Sequence, residues 1–400
     1  MPQWLNRDVV GMTITSFLSD VGHEMVTVVL PGFLHAIGVP AGDLGWIEGS
    51  ADGAASFLKL GTGWISDRIG RRKPIVAGGY FVTTTALALL AAAVSWPLVA
   101  LGRVLSWMGR GIRSPLRDAM LADTVAPEAR GKVFGLHRAG DTVGAVLGPL
   151  LGVFLLARLP HLTPAEPFRI IFLISLLPGL GAVAAFVLLV REHAHAPRQG
   201  LRFHHALRQL EAPFRRFLRG VGVFGLGDFS HTLLILAATQ MLAPVYGLVR
   251  AAQIAGILYV LHNVVYAAAS FPIGALADHM SKPRLLAAGY ALGGLTTVAL
   301  ALLVSGHHTS FAAWAGVFTA AGAYLAVEDA LEGAAPADLL APSARGTGYG
   351  VMGAVNGVGD FAASALVGAF WGFSPATAFG ISAALMLAGA GLMAASAEYR

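Results

Sequence analysis

Of the 400 residues, 56% are hydrophobic and 12% charged, and the mean hydropathy is +0.68, which leaves too little polar surface for an ordinary soluble enzyme. The lack of cysteine excludes disulfides and thiolate metal sites. The net charge of +5 gathers in alternate connections between apolar runs, which marks membrane topology and not a nucleic-acid footprint, so no nucleic-acid partner is expected.

A hydrocarbon core of about 30 Å takes about 20 apolar residues per helix. Runs of that kind fall, in chain order, at 9–34, 44–65, 75–95, 97–122, 132–156, 168–190, 218–242, 252–275, 285–305, 311–331, 346–370 and 376–396. They predict an all-α membrane protein with twelve transmembrane helices. The opening "MPQWLNRD" has neither a basic leader nor a cleavage site, so the first span is expected to stay. Arg and Lys collect in "SDRIGRRKP", "APEARGK", the 191–219 segment and "DHMSKPR". Those loops and both termini are therefore expected in the cytoplasm of a multi-pass inner-membrane protein.

The first span holds Asp20, His23 and Glu24 on one helical face, and Asp20 lies roughly 18 Å into the helix, near the midplane. An ionisable group there costs about 2.5 to 3.5 kcal/mol, so it should face water or a partner. The second span carries Glu48 and Asp52 one turn apart, with Lys59 two turns further on. The fourth carries Arg103, Arg110 and Arg117 at heptad spacing, with Arg113 beside the stripe, and the fifth carries Asp141. A charged connection over 191–217, with His193, His195, His204 and His205, reads as a solvated cytoplasmic linker. The seventh span begins "GVGVFGLGDFSH", where four glycines precede Asp228 and His231. These two are expected on one face of that helix, and the glycines permit either close packing or a bend. Glu328 and Glu332 follow in the tenth span and Asp360 in the eleventh. Glu48, Asp52, Asp141 and Asp360 are candidates for ion coupling, or for hydrogen bonds between helices.

The chain repeats itself. "ADTVAPEARGKVFG" at 122–135 returns as "ADLLAPSARGTGYG" at 337–350, an offset of 215. "GWISD" at 63–67 returns as "GALAD" at 274–278, and Asp20 and His23 return as Asp228 and His231. Parallel repeats of this size predict two pseudo-symmetric six-helix bundles, at 1–190 and 218–400, joined by 191–217. The larger offset sets Arg113 on Glu328 and Arg117 on Glu332, opposite charges that suggest gate-like ion pairs.

"GWISDRIGRRKP" resembles the signature loop of the major facilitator superfamily through Gly63, Asp67, Arg68, Gly70, Arg71 and Arg72, and "GAVLGPLLG" at 144–152 is similar to the fifth-helix motif of its proton-coupled exporters. The fourth helix departs from the pattern, because Arg103 is followed by Gly109 and Gly111 and not by glycine four residues on. The resemblance implies a secondary transporter working by alternating access, in which helices one and seven line a central cavity. Gly63, Asp67, Arg68, Arg71 and Arg72 would then form a cytoplasmic gate, with Arg113, Arg117, Glu328 and Glu332.

Asp20, His23, Asp228 and His231, with Glu24, become the candidate site. Carboxylate with imidazole suits a divalent transition metal, as in exporters of the ferroportin type, or a proton relay. The expected cargo is thus a divalent metal ion, exported with proton coupling, or alternatively a drug or organic solute exchanged for protons. A non-transporting sensor of the same fold is a further alternative. His23-Glu24 lacks the second histidine of a zinc protease, Thr27 standing in its place, and no phosphate-binding loop motif occurs. Neither an enzyme nor a cofactor is expected, and the protein should work as a monomer in the lipid bilayer.

Overall fold

Asn6 opens the first helix, its side chain accepting from Val9 N at 2.9 Å, while Asp8 in the first turn complements the helix dipole. The helix, α1, runs Arg7–Ala36 and ends before Gly38, whose φ of 74° suits glycine. The computed structural model describes residues 4–69, 71–126, 130–159, 163–192, 211–277, 279–340 and 345–396, and not the side chains at 60, 63–69, 122, 130–132, 271, 337–338 and 345–347. After α1 come α2 (Ala41–Ile69), α3 (Lys73–Ala92), α4 (Trp96–Asp123) and α5 (Arg130–Arg158), then two short pieces, α6 (Glu166–Ile174) and α7 (Leu176–Leu189). The second half has α8 (Ala212–Gly225), α9 (His231–Tyr246), α10 (Leu248–Ala277), α11 (Lys282–Ser305), α12 (Phe311–Leu339), α13 (Arg345–Trp371) and α14 (Pro375–Ser396). No strand occurs among the described residues.

Among the described residues nine of these segments are long and apolar enough to cross a membrane, α6 with α7 counting as one, and with α2, α4 and the α8–α9 segment they fall in the order of the twelve spans the sequence predicts. Two segments are jointed. The sixth pairs α6 with α7 across Ser175, whose hydroxyl donates to Phe172 O at 2.7 Å. The seventh was expected as one helix over 218–242. It begins earlier, at Ala212, and is interrupted between Gly225 and His231. Large apolar side chains such as Phe154, Leu188 and Leu302 stand more than half exposed, the pattern of helices whose outer solvent is lipid.

The chain divides into two compact units, one of residues 1–39 with 50–199 and the other of 40–49 with 200–400. In the first, α1 packs on α5 and α7, and α3 on α4. In the second, the equivalent partners meet: α8 packs on α13 and α14, and α11 on α12. Phe186 and Tyr80 anchor the first core, and Phe214, Phe217, Phe224 and Tyr290 the second.

Glycine sets the seam on which the site stands. Gly140, Gly144, Gly148 and Gly152 recur every fourth residue along α5 and lie against α1. A Cβ at Gly144 would come within 2.7 Å of Phe17 O and 3.0 Å of Asp20 Cβ; one at Gly148 within 2.7 Å of Val21 O and 2.8 Å of Glu24 Cβ. Small residues are the means by which lipid-embedded helices gain packing contact. The same glycines hold the acidic face of α1 against α5.

Candidate functional site

In the first unit, Asp20 and Glu24 are buried on α1, and Asp20 Oδ1 accepts from Arg110 Nη2 of α4 at 3.1 Å. Pairing explains how a carboxylate persists there, since an isolated charge in low dielectric is costly. His23, from the same face, sets its ring edge-on to Trp107 at 5.2 Å, and both Arg103 and Arg110 stand over that indole at 5.8 and 5.5 Å. One turn before Asp20, Ser16 accepts from Arg117 Nη1 at 2.8 Å, and His137 Nε2 of α5 lies 3.4 Å from the same hydroxyl. His137 in turn faces Asp141 at 3.7 Å. Arg113 is buried over the ring of Tyr80 at 4.0 Å, a cation–π contact in a desolvated setting. The arginine stripe of α4 therefore serves α1 and α3 within its own unit.

In the second unit the expected arrangement changes. Asp228 and His231 do not share a helical face, because Asp228 lies in the break and His231 begins α9. The cause is local. Gly227 N and Asp228 N turn back to Phe224 O and Gly225 O at 2.8 and 3.2 Å, closing α8 with tight final turns. Ser230 N then donates to Ser364 Oγ of α13 at 3.0 Å, which meets a backbone donor that the helix no longer satisfies. Of the two roles the glycine run allowed, the bend is the one observed at Asp228, and Gly220 and Gly227 also pack closely on α14.

The break sets Asp228 against α12. Tyr324, Glu328 and Glu332 occupy one face of that helix at successive turns. Tyr324 donates to Asp228 Oδ1 at 3.1 Å, and Glu328 lies against the same carboxyl, near enough for the pair to share a hydrogen bond when one of them holds a proton. Glu332 accepts from Tyr290 of α11 and from Asn356 Nδ2 of α13, the latter at 2.6 Å. Tyr290 is fixed by Phe224, stacked on it at 3.7 Å between centroids. Among the described residues, none of Asp228, Glu328 and Glu332 sits in an ion pair, and Glu328 Oε2 is buried with no hydrogen-bond partner. His231 stacks on Tyr259 of α10, at 5.3 Å, with His262 next in the row.

The remaining expected residues are scattered. Glu48 is fully buried in the second unit, whereas Asp52 and Asp360 are half-buried. The expected gate pairs do not form within the units: Arg117 pairs with its neighbour Asp118 at 2.9 Å, Arg113 lies on Tyr80, and Glu332 is held by neutral donors. Arg72 ties the start of α3 to Asp123 at the end of α4 at 2.6 Å, and its backbone N–H donates to Glu192 Oε1 at 3.1 Å. Arg71 is exposed, and the side chains of Gly63, Asp67 and Arg68 lie outside the described residues, as do residues 193–210 with the linker histidines. No group of three or more His, Cys, Asp or Glu able to hold a metal ion occurs among the described residues, so the metal reading of Asp20, His23, Asp228 and His231 finds no support.

Sequence reasoning passed over Tyr290, Tyr324, Asn356, Trp107, His137 and His262. One signal was available for two tyrosines, since Tyr80 returns as Tyr290 at an offset of 210.

Described residues that are all helix or loop, with apolar outer surfaces, a glycine-jointed span and ionisable side chains held inside each unit, define a polytopic membrane protein. The family follows from comparison: the Major Facilitator Superfamily model matches residues 12–251 and 229–398, and the chain belongs to that superfamily. An uncharacterized MFS-type transporter of Methanocaldococcus jannaschii is 28% identical over 375 residues, covering 94% of this chain and 91% of that one. The quinolone resistance protein NorA of Staphylococcus aureus is 26% identical over 160 residues, 40% of this chain and 41% of its own. Among solved structures, a bacterial homologue of the human lysosomal transporter Spinster superposes with a TM-score of 0.73 at 18% identity, covering 100% of this chain and 96% of that one, which shows the fold alone.

Proposed function

We propose that this transporter works by alternating access as a proton-coupled exporter of an organic solute, a monomer in the cell membrane with both termini cytoplasmic. The observation that carries the reading is the acid cluster of the second unit. Asp228 sits at a break in a membrane span, against Glu328 and Tyr324, and Glu332 follows one turn further along α12. Carboxyl groups held by neutral donors inside a membrane protein can take up and release a proton without giving up an ion pair, whereas protonating Asp20 would forfeit its pair with Arg110. Asp228, Glu328 and Glu332 are accordingly assigned to proton coupling. Asp20, His23, Glu24 and Arg110 are assigned to a polar surface that recognises cargo.

An organic cargo is favoured over a metal ion by the site chemistry. His23 is engaged with Trp107 and Asp20 with an arginine, and the Trp107 indole beside them suits a planar organic group. The partial likeness to NorA, described as a quinolone resistance protein, points the same way. The reading is tested in proteoliposomes carrying an imposed pH gradient, with norfloxacin, ethidium, Zn(II) and Ni(II) as probes. Gradient-driven movement of an organic probe, lost in Asp228→Asn while exchange without a gradient persists, is the expected result. Transport of the metals alone, or an Asp228→Asn protein still driven by the gradient, would overturn it.

A further inference from the structure

Inside the second unit a narrow cavity of about 20 Å³ opens between α9, α10, α11 and α12, enough for one or two water molecules. Its polar lining is His231, His262, Thr296, Thr297 and Tyr324, and the rest is apolar: Phe229, Leu234, Leu300, Val317 and Ala321. A buried water needs two to four polar partners, and this lining supplies them. Tyr324 is the group through which the cavity meets the acid cluster, because its hydroxyl hydrogen is already committed to Asp228 and its oxygen remains able to accept. On α10, His262 is buried and its Nδ1 lies 3.0 Å from Asn263 Oδ1, which leaves Nε2 as the other ring nitrogen. Thr296 and Thr297 donate to Leu292 O and Gly293 O at 2.7 and 3.0 Å, so their oxygens too can accept from a water.

We infer that a water in this cavity joins the imidazoles of His231 and His262 to Asp228 through the Tyr324 hydroxyl, making a proton path within the second unit. The transfer balances. An imidazolium N–H gives its proton to the water, the water gives one to the Tyr324 oxygen, and the tyrosine gives its own hydrogen to an Asp228 carboxylate oxygen. One proton leaves the histidine row and one arrives on the carboxyl, with water and tyrosine unchanged in composition. The groups facing Asp228 are Tyr324, Glu328, Asp329 and Glu332 from α12 and Tyr290 from α11. Asp360 of α13 acts on Glu328, and His231 and His262 form the histidine end on α9 and α10. The inference rests on the proton-coupling assignment of Asp228 and adds the route by which the proton arrives.

The test follows the full-length protein in detergent after a pH jump, by time-resolved infrared spectroscopy of the protonated carboxyl band that disappears in Asp228→Asn. Tyr324→Phe, which removes the relaying hydroxyl, and Ala321→Leu, which fills the cavity, should each slow appearance of the band by roughly tenfold or more while the final amplitude is reached. His262→Gln should slow it as well, and Thr297→Val, whose oxygen is one acceptor of several, less. Wild-type kinetics in both Tyr324→Phe and Ala321→Leu would overturn the relay, even with Asp228 titrating normally. The coupling assignment fails separately, through gradient-driven transport by Asp228→Asn in proteoliposomes, and can fail while the infrared kinetics still show the path.

Discussion

Asp20 and Arg110 show how a buried charge survives in a membrane helix. Asp20 keeps only 9% of its side chain exposed, and its compensation is the guanidinium at 3.1 Å. Removing one partner strands the other, at a cost of about 3 to 5 kcal/mol for a buried pair, less here because Arg110 is 26% exposed. Asp20→Asn and Arg110→Gln should each lower the midpoint of thermal unfolding in detergent, and the double variant should lose less than the sum of the two. Strict additivity would show that the two side chains do not act as a pair. On the other carboxyl cluster, Tyr290→Phe takes one of the two donors from Glu332 and should cost about 1 to 3 kcal/mol; in a Glu332→Leu background, where the acceptor is gone, the same change should be nearly silent. The ionisable residues were legible in the sequence because their types and midplane depth are local facts. Their partners were not. Arg110 was visible only as one of four arginines in a stripe, and Tyr290, Tyr324 and Asn356 are unremarkable residues until packing places them.

At the scale of elements, the glycine seam of α5 and the break before α9 carry the argument. Gly144 meets the backbone of α1 at Phe17 and the Cβ of Asp20, whereas a Cβ at Gly135, on the same helix, would meet nothing within 4 Å. Gly144→Leu should therefore destabilise the fold by about 1 to 3 kcal/mol or more, while Gly135→Ala should leave the unfolding midpoint in place or raise it. Equal losses at the two sites would refute a close α1–α5 contact. Segment existence was readable from apolar run length, since the bilayer fixes that length physically. The joint in the seventh span was not readable from run length, because hydropathy averages over the break. Its signals were the spacing of Gly220, Gly222, Gly225 and Gly227 and the small polar residue Ser230, which finds its partner on α13. The same break moved Asp228 off the helical face it was expected to share with His231 and onto α12.

Across the whole molecule, the repeat is one of architecture with the chemistry inverted. Tyr80 on α3 lies beneath the cation of Arg113, and Tyr290 on α11 donates to the carboxyl of Glu332. Gly144 lies against α1 in one unit, and Gly359, 215 residues later, lies against Gly225 of α8 in the other. Internal duplication makes the two-bundle plan readable in the sequence, because backbone contacts through glycine must recur wherever the plan recurs. Side chains at matching positions are under no such constraint. Where one unit carries Arg113 and Arg117 the other carries Glu328 and Glu332, and this divergence assigns cargo recognition and proton coupling to different units in the present account.

The central claim is that the acid cluster of the second unit carries the coupled proton, and proton movement itself tests it most directly. With a pH-sensitive dye sealed inside proteoliposomes under an imposed gradient, adding norfloxacin or ethidium should produce proton flux through the wild-type protein. The account predicts that this flux disappears in Asp228→Asn and falls in Glu328→Gln, while both proteins bind the probe; undiminished cargo-dependent proton flux in Asp228→Asn would contradict it.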